Sequence, residues 1–271
     1  MNKELNQKYK HLREIIERLG RGIVAFSGGI DSALVLKVAY DVLGNKVIAV
    51  TADSPSLPKR ELNEAREIVQ QIGARHIVIT TKETENQSYL KNPSNRCYHC
   101  KSELYAKLKT VSQELGIKNI INGTNFDDLD DYRPGLLAAD ENNVTSPLVA
   151  AKFTKNDVRK LANHLGLKIW DKPSSPCLSS RVPYGQEITL KKLAMIEEAE
   201  NFLKGLGIRE LRVRHFGNLA KIEASESGRK IAEDNFHLIQ QKFRDIGFAE
   251  VAISNFRSGS LNLMLNVRAE N

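Results

Sequence analysis

Along the first half of the chain, short continuous apolar runs alternate with stretches of helical periodicity. Residues 3–19 place Leu5, Leu12, Ile15, Ile16 and Leu19 along one side, the spacing of an amphipathic helix, and Gly20 and Gly22 end it. "GIVAF" is then a buried strand, and "DSALVLKVAYDVLG" a helix that closes at Gly44. "KVIAVTAD" is a second strand, Lys59–Ile72 a helix ended by Gly73, and "HIVIT" a third strand. The polar stretch 80–96 shows no element. A helix runs from about Tyr98 to Leu115, and "NIINGTN" is a fourth strand. Near-continuous apolar strands alternating with helices predict a parallel sheet covered on both faces.

The rhythm changes later. A helix over Lys155–Leu165 is followed by "DKPSSPCLSSRVPYGQE", a Pro- and Ser-rich junction. Beyond it come a helix over Thr189–Leu206, strands in "IRELRVRHF" and "NLAKIEAS" around a turn at Gly217-Asn218, a helix over 228–245, and a strand in "FAEVAIS". The expectation is an α/β fold, a doubly wound parallel sheet with a smaller C-terminal α+β domain. Its divisions fall at 1–170, a cysteine-bearing junction at 171–186, and 187–271.

Ligands of such sheets bind beyond the C-terminal strand ends. Three stretches fall there: "SGGIDS", "TADS" and "NGTNFDD". In the first, Gly28 and Gly29 let the backbone turn and present N–H groups at a helix N-terminus, and Ser27 and Ser32 add hydroxyl donors. A Gly-Gly pair also makes an ordinary tight turn, but this one follows the first buried strand and opens a helix. Neither GxxxxGK[ST] nor GxGxxG is present, so the cradle is neither a Walker loop nor a dinucleotide fingerprint.

"SGGIDS" resembles the PP-loop of the N-type ATP pyrophosphatases. The resemblance implies that ATP is split between its α and β phosphates, with AMP placed on a substrate oxygen. It implies ATP binding by Ser27, Gly28, Gly29, Asp31 and Ser32, contact to adenosine at Asp53, and a further ATP-proximal loop at Gly123 and Thr124. Asp127 and Asp128 are hard oxygen ligands suited to Mg²⁺ beside phosphates.

Composition narrows the field modestly. Apolar residues make up 41% and charged residues 27%, enough for a real core under an ordinary surface. A net charge of +7 fits an anionic ligand, while sparse aromatics and the absence of a basic block argue against a nucleic-acid groove. No apolar run approaches the roughly 18 residues that span a bilayer, and the N-terminus lacks the apolar core of a signal peptide. A cytoplasmic location is expected.

Three cysteines remain: Cys97 and Cys100 in "CYHC", and Cys177 in the junction. A zinc site would need a fourth ligand, for which His76 or His164 could serve. A redox dithiol would leave Cys177 a bystander and lacks the usual thioredoxin-like context. Three thiolates holding a 4Fe–4S cluster, with one iron open, use all three.

"PSSPCLSSRVPYG", together with "RVRHFGNLAKIE", resembles the LarE group of ATP-dependent sulfur transferases over nearly the whole chain. The resemblance implies adenylation of the carboxylates of pyridinium-3,5-biscarboxylic acid mononucleotide and their conversion to thiocarboxylates, toward the nickel-pincer nucleotide of lactate racemase. It implies a cluster on Cys97, Cys100 and Cys177, an external sulfide source, and a homo-oligomer such as a hexamer. Single-cysteine members sacrifice the sulfur equivalent to Cys177; the added CxxC departs from that pattern. Glu200 matches the acidic residue near the sulfur-donating cysteine. Arg212 and Arg214, two apart on one strand and so on one face, read either as a clamp for the substrate phosphate, with Arg181 facing the reacting end, or as an exposed strand face whose charges alternate outward. Glu223 is a weaker acidic candidate, and Trp170 a residue for stacking or for the core. A tRNA thiolase shares loop and cluster and is the alternative enzyme; an ATP-binding module without chemistry has no use for the thiols.

Overall fold

The computed structural model describes residues 1–129 and 134–257. Residues 258–271 of the expected C-terminal domain lie outside the described residues. In chain order the elements are α1 (Lys3–Leu19), β1 (Gly22–Ala25), α2 (Ile30–Leu43), β2 (Val47–Asp53), α3 (Lys59–Ile72), β3 (Arg75–Thr80), α4 (Gln87–Leu90), α5 (Arg96–Leu115) and β4 (Ile120–Ile121). There follow α6 (Gly135–Glu141), α7 (Pro147–Ala150), α8 (Lys155–His164), α9 (Leu190–Gly205), β5 (Leu211–Phe216), β6 (Leu219–Ala224), α10 (Glu226–Asp234), α11 (Phe236–Ile246) and β7 (Glu250–Asn255). The chain divides into two compact units, the first comprising Met1–Glu83 and Cys97–Ser175, the second Thr84–Arg96 and the chain from Pro176.

The first unit is built on a parallel sheet in the order β3-β2-β1-β4. The chain steps outward from β1 through β2 to β3 and then returns to β1's other side, so the order reverses between β1 and β4. That reversal opens a crevice at the C-terminal strand ends. β1 and β2 are buried along most of their length, which is why they read as unbroken apolar runs. β3, at the edge, alternates exposed and half-buried positions. α1 buries Leu5, Leu12 and Ile16 along one stripe and is capped by Asn2, whose side chain accepts the Leu5 N–H. α2 is buried nearly all round, with Ala33, Leu34, Val35 and Leu36 all inaccessible, so it lies inside its unit rather than on it. The expected fourth strand stops at Ile121, because the Asn122 side chain accepts the Thr124 N–H and turns the chain.

The second unit has a three-stranded sheet, β5-β6-β7, antiparallel between β5 and β6 and parallel between β6 and β7. Leu211, Val213 and His215 on β5 and Ala220, Ile222 and Ala224 on β6 share one face, and they pack with Ala199, Leu203, Ile239 and Phe243 of the helices. The opposite face carries Arg212, Arg214, Lys221 and Glu223. The helix expected over 228–245 is two helices. The break is Asn235, a weak helix former, whose side chain donates back to the Ile231 carbonyl. The stretch 80–96, which shows no periodicity, contains a short 3-10 turn at Glu83–Glu85 and then α4.

Candidate active site

The glycine loop sits in the crevice of the first unit. Gly28 has φ +72, and a Cβ there would lie 3.1 Å from the Ala65 Cβ on α3, so the loop lies directly on that helix. Gly29 caps α2 with extended backbone and makes no side-chain cap hydrogen bond, so the first N–H groups of the helix can meet an anion. Ser32 Oγ donates to the Gly29 carbonyl at 3.0 Å and lies 3.2 Å from Ser27 Oγ.

Gly123 brings the second predicted stretch to the same place. A Cβ on it would fall 2.6 Å from the Ser32 backbone nitrogen, so the loop after β4 lies against the first turn of α2. Asn125 Nδ2 donates to Asp31 Oδ1 at 3.2 Å, and Lys155 Nζ reaches Asp31 Oδ2 at 2.5 Å. Thr124 is half-buried beside Gly123. Asp127 accepts the Lys155 N–H and Asp128 accepts the Asn125 N–H, so both carboxylates help to fold the loop. Asp53 is exposed at the end of β2.

Two lysines at this site were not singled out from the sequence. Lys155 opens α8, where the helix dipole disfavours a cation, and that misplacement was its only signal. Lys172 is held by Glu61 and Glu64, each at 2.7 Å, and its Nζ lies 3.4 Å from the Gly28 carbonyl. Burial pulls the Lys172 ammonium down, but its hydrogen bonds to the two glutamates outweigh this and hold it above its ordinary value. Burial likewise pushes the Glu61 carboxyl up, and Lys172 with Ser175 brings it below the usual range. No periodic pattern marks Lys172; only folding supplies its partners.

The second unit gathers a set of buried charges. Arg181 ends the 3-10 turn Leu178–Arg181 that follows Cys177. Its guanidinium meets Glu200 in a two-point pair at 2.8 and 3.1 Å, and donates to the carbonyls of Pro176 and Cys177 and to Ser180 Oγ. Glu200 also accepts the Val213 N–H at 3.1 Å. Arg181 and Glu200 thus tie the Cys177 loop to α9 and β5.

Arg212 and Arg214 lie on one sheet face, but their environments differ. Arg214 pairs with Glu223 at 2.9 Å and donates to the Ser180 carbonyl at 2.5 Å. Arg212 stands directly opposite Glu223 in register, yet its guanidinium lies over the Phe256 ring, 4.6 Å from the centroid. Burial first, then the charges of Arg214 and Arg181, lower Arg212 to about 10. Among the described residues, three arginines against two glutamates leave this buried group with one positive charge in excess. Trp170, at 41% exposed, is not core.

All three cysteines are thiols; Cys97 is exposed, Cys100 and Cys177 half-buried. Cys97 and Cys100 lie one turn apart at the start of α5 in the first unit, and Cys177 is in the second. Among the described residues no three His, Cys, Asp or Glu side chains are gathered as a metal centre, and no helix is long and apolar enough to cross a membrane.

The sequence pattern of the NAD synthase family matches residues 4–113. With the sheet order and the SGGIDS cradle, this makes the protein an ATP-utilising enzyme of the PP-loop ATP pyrophosphatase superfamily. An uncharacterised protein of Synechocystis is 45% identical over 96% of this chain and 99% of its own length, and one of Methanocaldococcus jannaschii is 32% identical over 94% of each. The pyridinium-3,5-bisthiocarboxylic acid mononucleotide synthase of Lactiplantibacillus plantarum is 37% identical over 91% of each chain. The chain belongs to the same family as that synthase.

Proposed function

We propose that the protein is an ATP-dependent sulfur transferase acting on pyridinium-3,5-biscarboxylic acid mononucleotide, in the making of the nickel-pincer nucleotide cofactor of lactate racemase. The observation that carries this reading is the 37% identity to the Lactiplantibacillus synthase, which runs through 91% of both chains and so takes in both the glycine loop and the arginine-bearing sheet.

A carboxylate is a poor electrophile because its oxygen leaves badly. In the proposed reaction a substrate carboxylate oxygen attacks the α-phosphorus of ATP and pyrophosphate departs. The N–H groups of residues 28–32 and the start of α2 receive the negative charge that develops on the leaving phosphates. Asp127 and Asp128 would supply hard carboxylate oxygens for Mg²⁺ there. Arg212, buried and in excess of the local carboxylates, would receive the substrate phosphate, with Arg214 beside it. Sulfide then attacks the acyl carbon and AMP leaves with the former carboxylate oxygen.

Cys97, Cys100 and Cys177 would hold an iron–sulfur cluster: the donor set is soft thiolate, and the CxxC pair is already one helical turn apart. Such a cluster would supply the sulfide nucleophile. The Arg181–Glu200 pair supports this by holding the backbone of residues 176–177 in place.

The test is anaerobic purification with an iron and acid-labile sulfide count, followed by incubation with ATP, Mg²⁺, sulfide and the biscarboxylate. Pyrophosphate release with a thiocarboxylate product is expected, along with brown protein whose colour is lost in Cys97→Ala. Absence of substrate-dependent pyrophosphate release would overturn the function; a colourless, iron-free and fully active enzyme would overturn the cluster alone.

A further inference from the structure

The Gly28–Gly29 peptide, inside the first unit, lies between two sets of contacts. On one side is α3. A Cβ on Gly28 would lie 3.1 Å from the Ala65 Cβ and 3.6 Å from the Glu61 carbonyl oxygen, and the Gly28 carbonyl accepts from Lys172 Nζ at 3.4 Å. On the other side are the two hydroxyls of the cradle. The Gly29 N–H donates to Ser27 Oγ at 3.3 Å, and Ser27 Oγ lies 3.2 Å from Ser32 Oγ. The peptide is trans, so its carbonyl and its N–H point in opposite directions. Holding the carbonyl toward Lys172 therefore directs the Gly29 N–H toward the hydroxyls.

The next peptide is secured from its own neighbourhood: the Gly29 carbonyl accepts the Ala33 N–H and Ser32 Oγ, each at 3.0 Å. The Gly28 carbonyl takes its donor from Lys172, 144 positions later in the chain. Glycine on both sides of a peptide makes a half-turn of that peptide easy, because neither residue has a Cβ to obstruct it. A half-turn would carry the Gly28 oxygen into the cradle, where it would repel a phosphate. Lys172 is placed to oppose it. An ammonium has three N–H donors, and those of Lys172 meet Glu61, Glu64 and the Gly28 carbonyl. The two bonds to α3, each 2.7 Å, fix the ammonium, and Ser175 Oγ holds Glu61 in turn at 3.0 Å.

We propose that Lys172, anchored by Glu61 and Glu64, is a positioning residue that keeps the Gly28–Gly29 peptide turned with its N–H toward the phosphates of ATP and its carbonyl away from them. This rests on the reading of residues 28–32 as the pyrophosphate cradle.

Calorimetry on the full-length protein with Mg²⁺ and inorganic pyrophosphate reads the affinity of the cradle, and adenosine, which carries no phosphate, is the control. Lys172→Met should weaken pyrophosphate binding about tenfold, the scale of one hydrogen bond to a charged group, and leave adenosine binding unchanged. Lys172→Arg, which keeps a cationic donor, should recover most of the loss. Gly28-Gly29 is the only Gly-Gly pair in the sequence. Glycine labelled with ¹³C at the carbonyl and ¹⁵N at the amide therefore gives a single carbonyl-to-amide NMR correlation, that of this peptide. The signal should be single and sharp in the unmodified protein, and split or broadened in Lys172→Met as the peptide samples two orientations. Where Lys172→Met does not melt cooperatively, Lys172→Met combined with Glu61→Gln removes the buried carboxylate charge left behind and carries both measurements. In a folded variant, unchanged pyrophosphate affinity, an equal loss for pyrophosphate and adenosine, or a peptide signal that stays single and sharp would overturn the positioning role. Failure of the unmodified protein to bind pyrophosphate would instead remove the cradle reading, and this inference with it.

Discussion

The glycine loop of the first unit and the arginine face of the C-terminal sheet are both built to meet negative charge, by opposite means. The loop uses backbone N–H groups and a helix end, partial charges whose placement depends on the absence of side-chain atoms at Gly28 and Gly123. The sheet face uses whole charges that are almost fully buried and are offset in part by Glu200 and Glu223, with the cost of burial expressed in the lowered Arg212. The first site is therefore governed by space and the second by charge balance. A methyl group should ruin one, and a lost partner the other.

The largest expected effect is on the buried pair. Arg181→Met removes the two-point guanidinium partner of Glu200, a carboxylate at 3% exposure, and stability should fall by about 3–5 kcal/mol in urea unfolding. A loss under about 1 kcal/mol would mean that direct ion pairing does not govern that face. Next, Gly123→Ala forces a Cβ against the backbone of Ser32, which cannot swing aside as a side chain could. ATP-dependent pyrophosphate release should drop about 100-fold with the melting temperature of the second unit unmoved. Retention of activity would break the claim that the loop is limited by space.

Arg212→Met sharpens the contrast within one strand. Arg212 has no carboxylate at hydrogen-bonding distance among the described residues, so its loss should change stability by less than about 1 kcal/mol while raising the KM for the mononucleotide about tenfold. Arg214→Met, which removes the ion pair to Glu223 and the donor to the Ser180 carbonyl, should instead destabilise the fold. Equal effects of the two would refute the distinction drawn between them.

The smallest effect is on pH dependence. Burial and the Lys192 charge push His215 below its ordinary value of 6.5, and its buried Nδ1 has no hydrogen-bond partner among the described residues. The folded state therefore binds this proton less readily than the unfolded chain, and stability present above about 6.5 is lost as the pH falls below it. The slope from this group is at most about 1.4 kcal/mol per pH unit. His76 is lowered by burial as well, so His215→Leu should flatten the melting-temperature profile between pH 7 and 5 without abolishing the slope.

Strands β1 to β3 and helices α1, α2, α3, α5 and α8 were legible, because β1 and β2 are buried along most of their length and α1 and α3 show clean stripes, whereas the short helices α6 and α7 carried no periodic signal. The glycine loop was legible because backbone chemistry at a strand end needs only neighbours in the chain. Residues 80–96 were not: Asn92 and Arg96 find their partners some eighty to ninety-four positions later, and no local pattern encodes such a match. Nor could spacing alone separate Arg212 from Arg214, since both point from one face and only the fold gives Glu223 and the Ser180 carbonyl to the second.

By itself the amino-acid order determined the alternation of elements, the phosphate cradle and the presence of three thiols, since each of these depends on residues adjacent or periodic along the chain. Tertiary structure alone decided which charges are spent on holding the fold and which is left to meet a ligand. Arg181, Glu200 and Arg214 are committed to partners, Lys172 is gripped by two glutamates, and Arg212 lies over a ring with its charge in excess. The physical reason is that a charge acquires its role from what surrounds it after burial, and those surroundings are assembled from segments that the sequence keeps far apart.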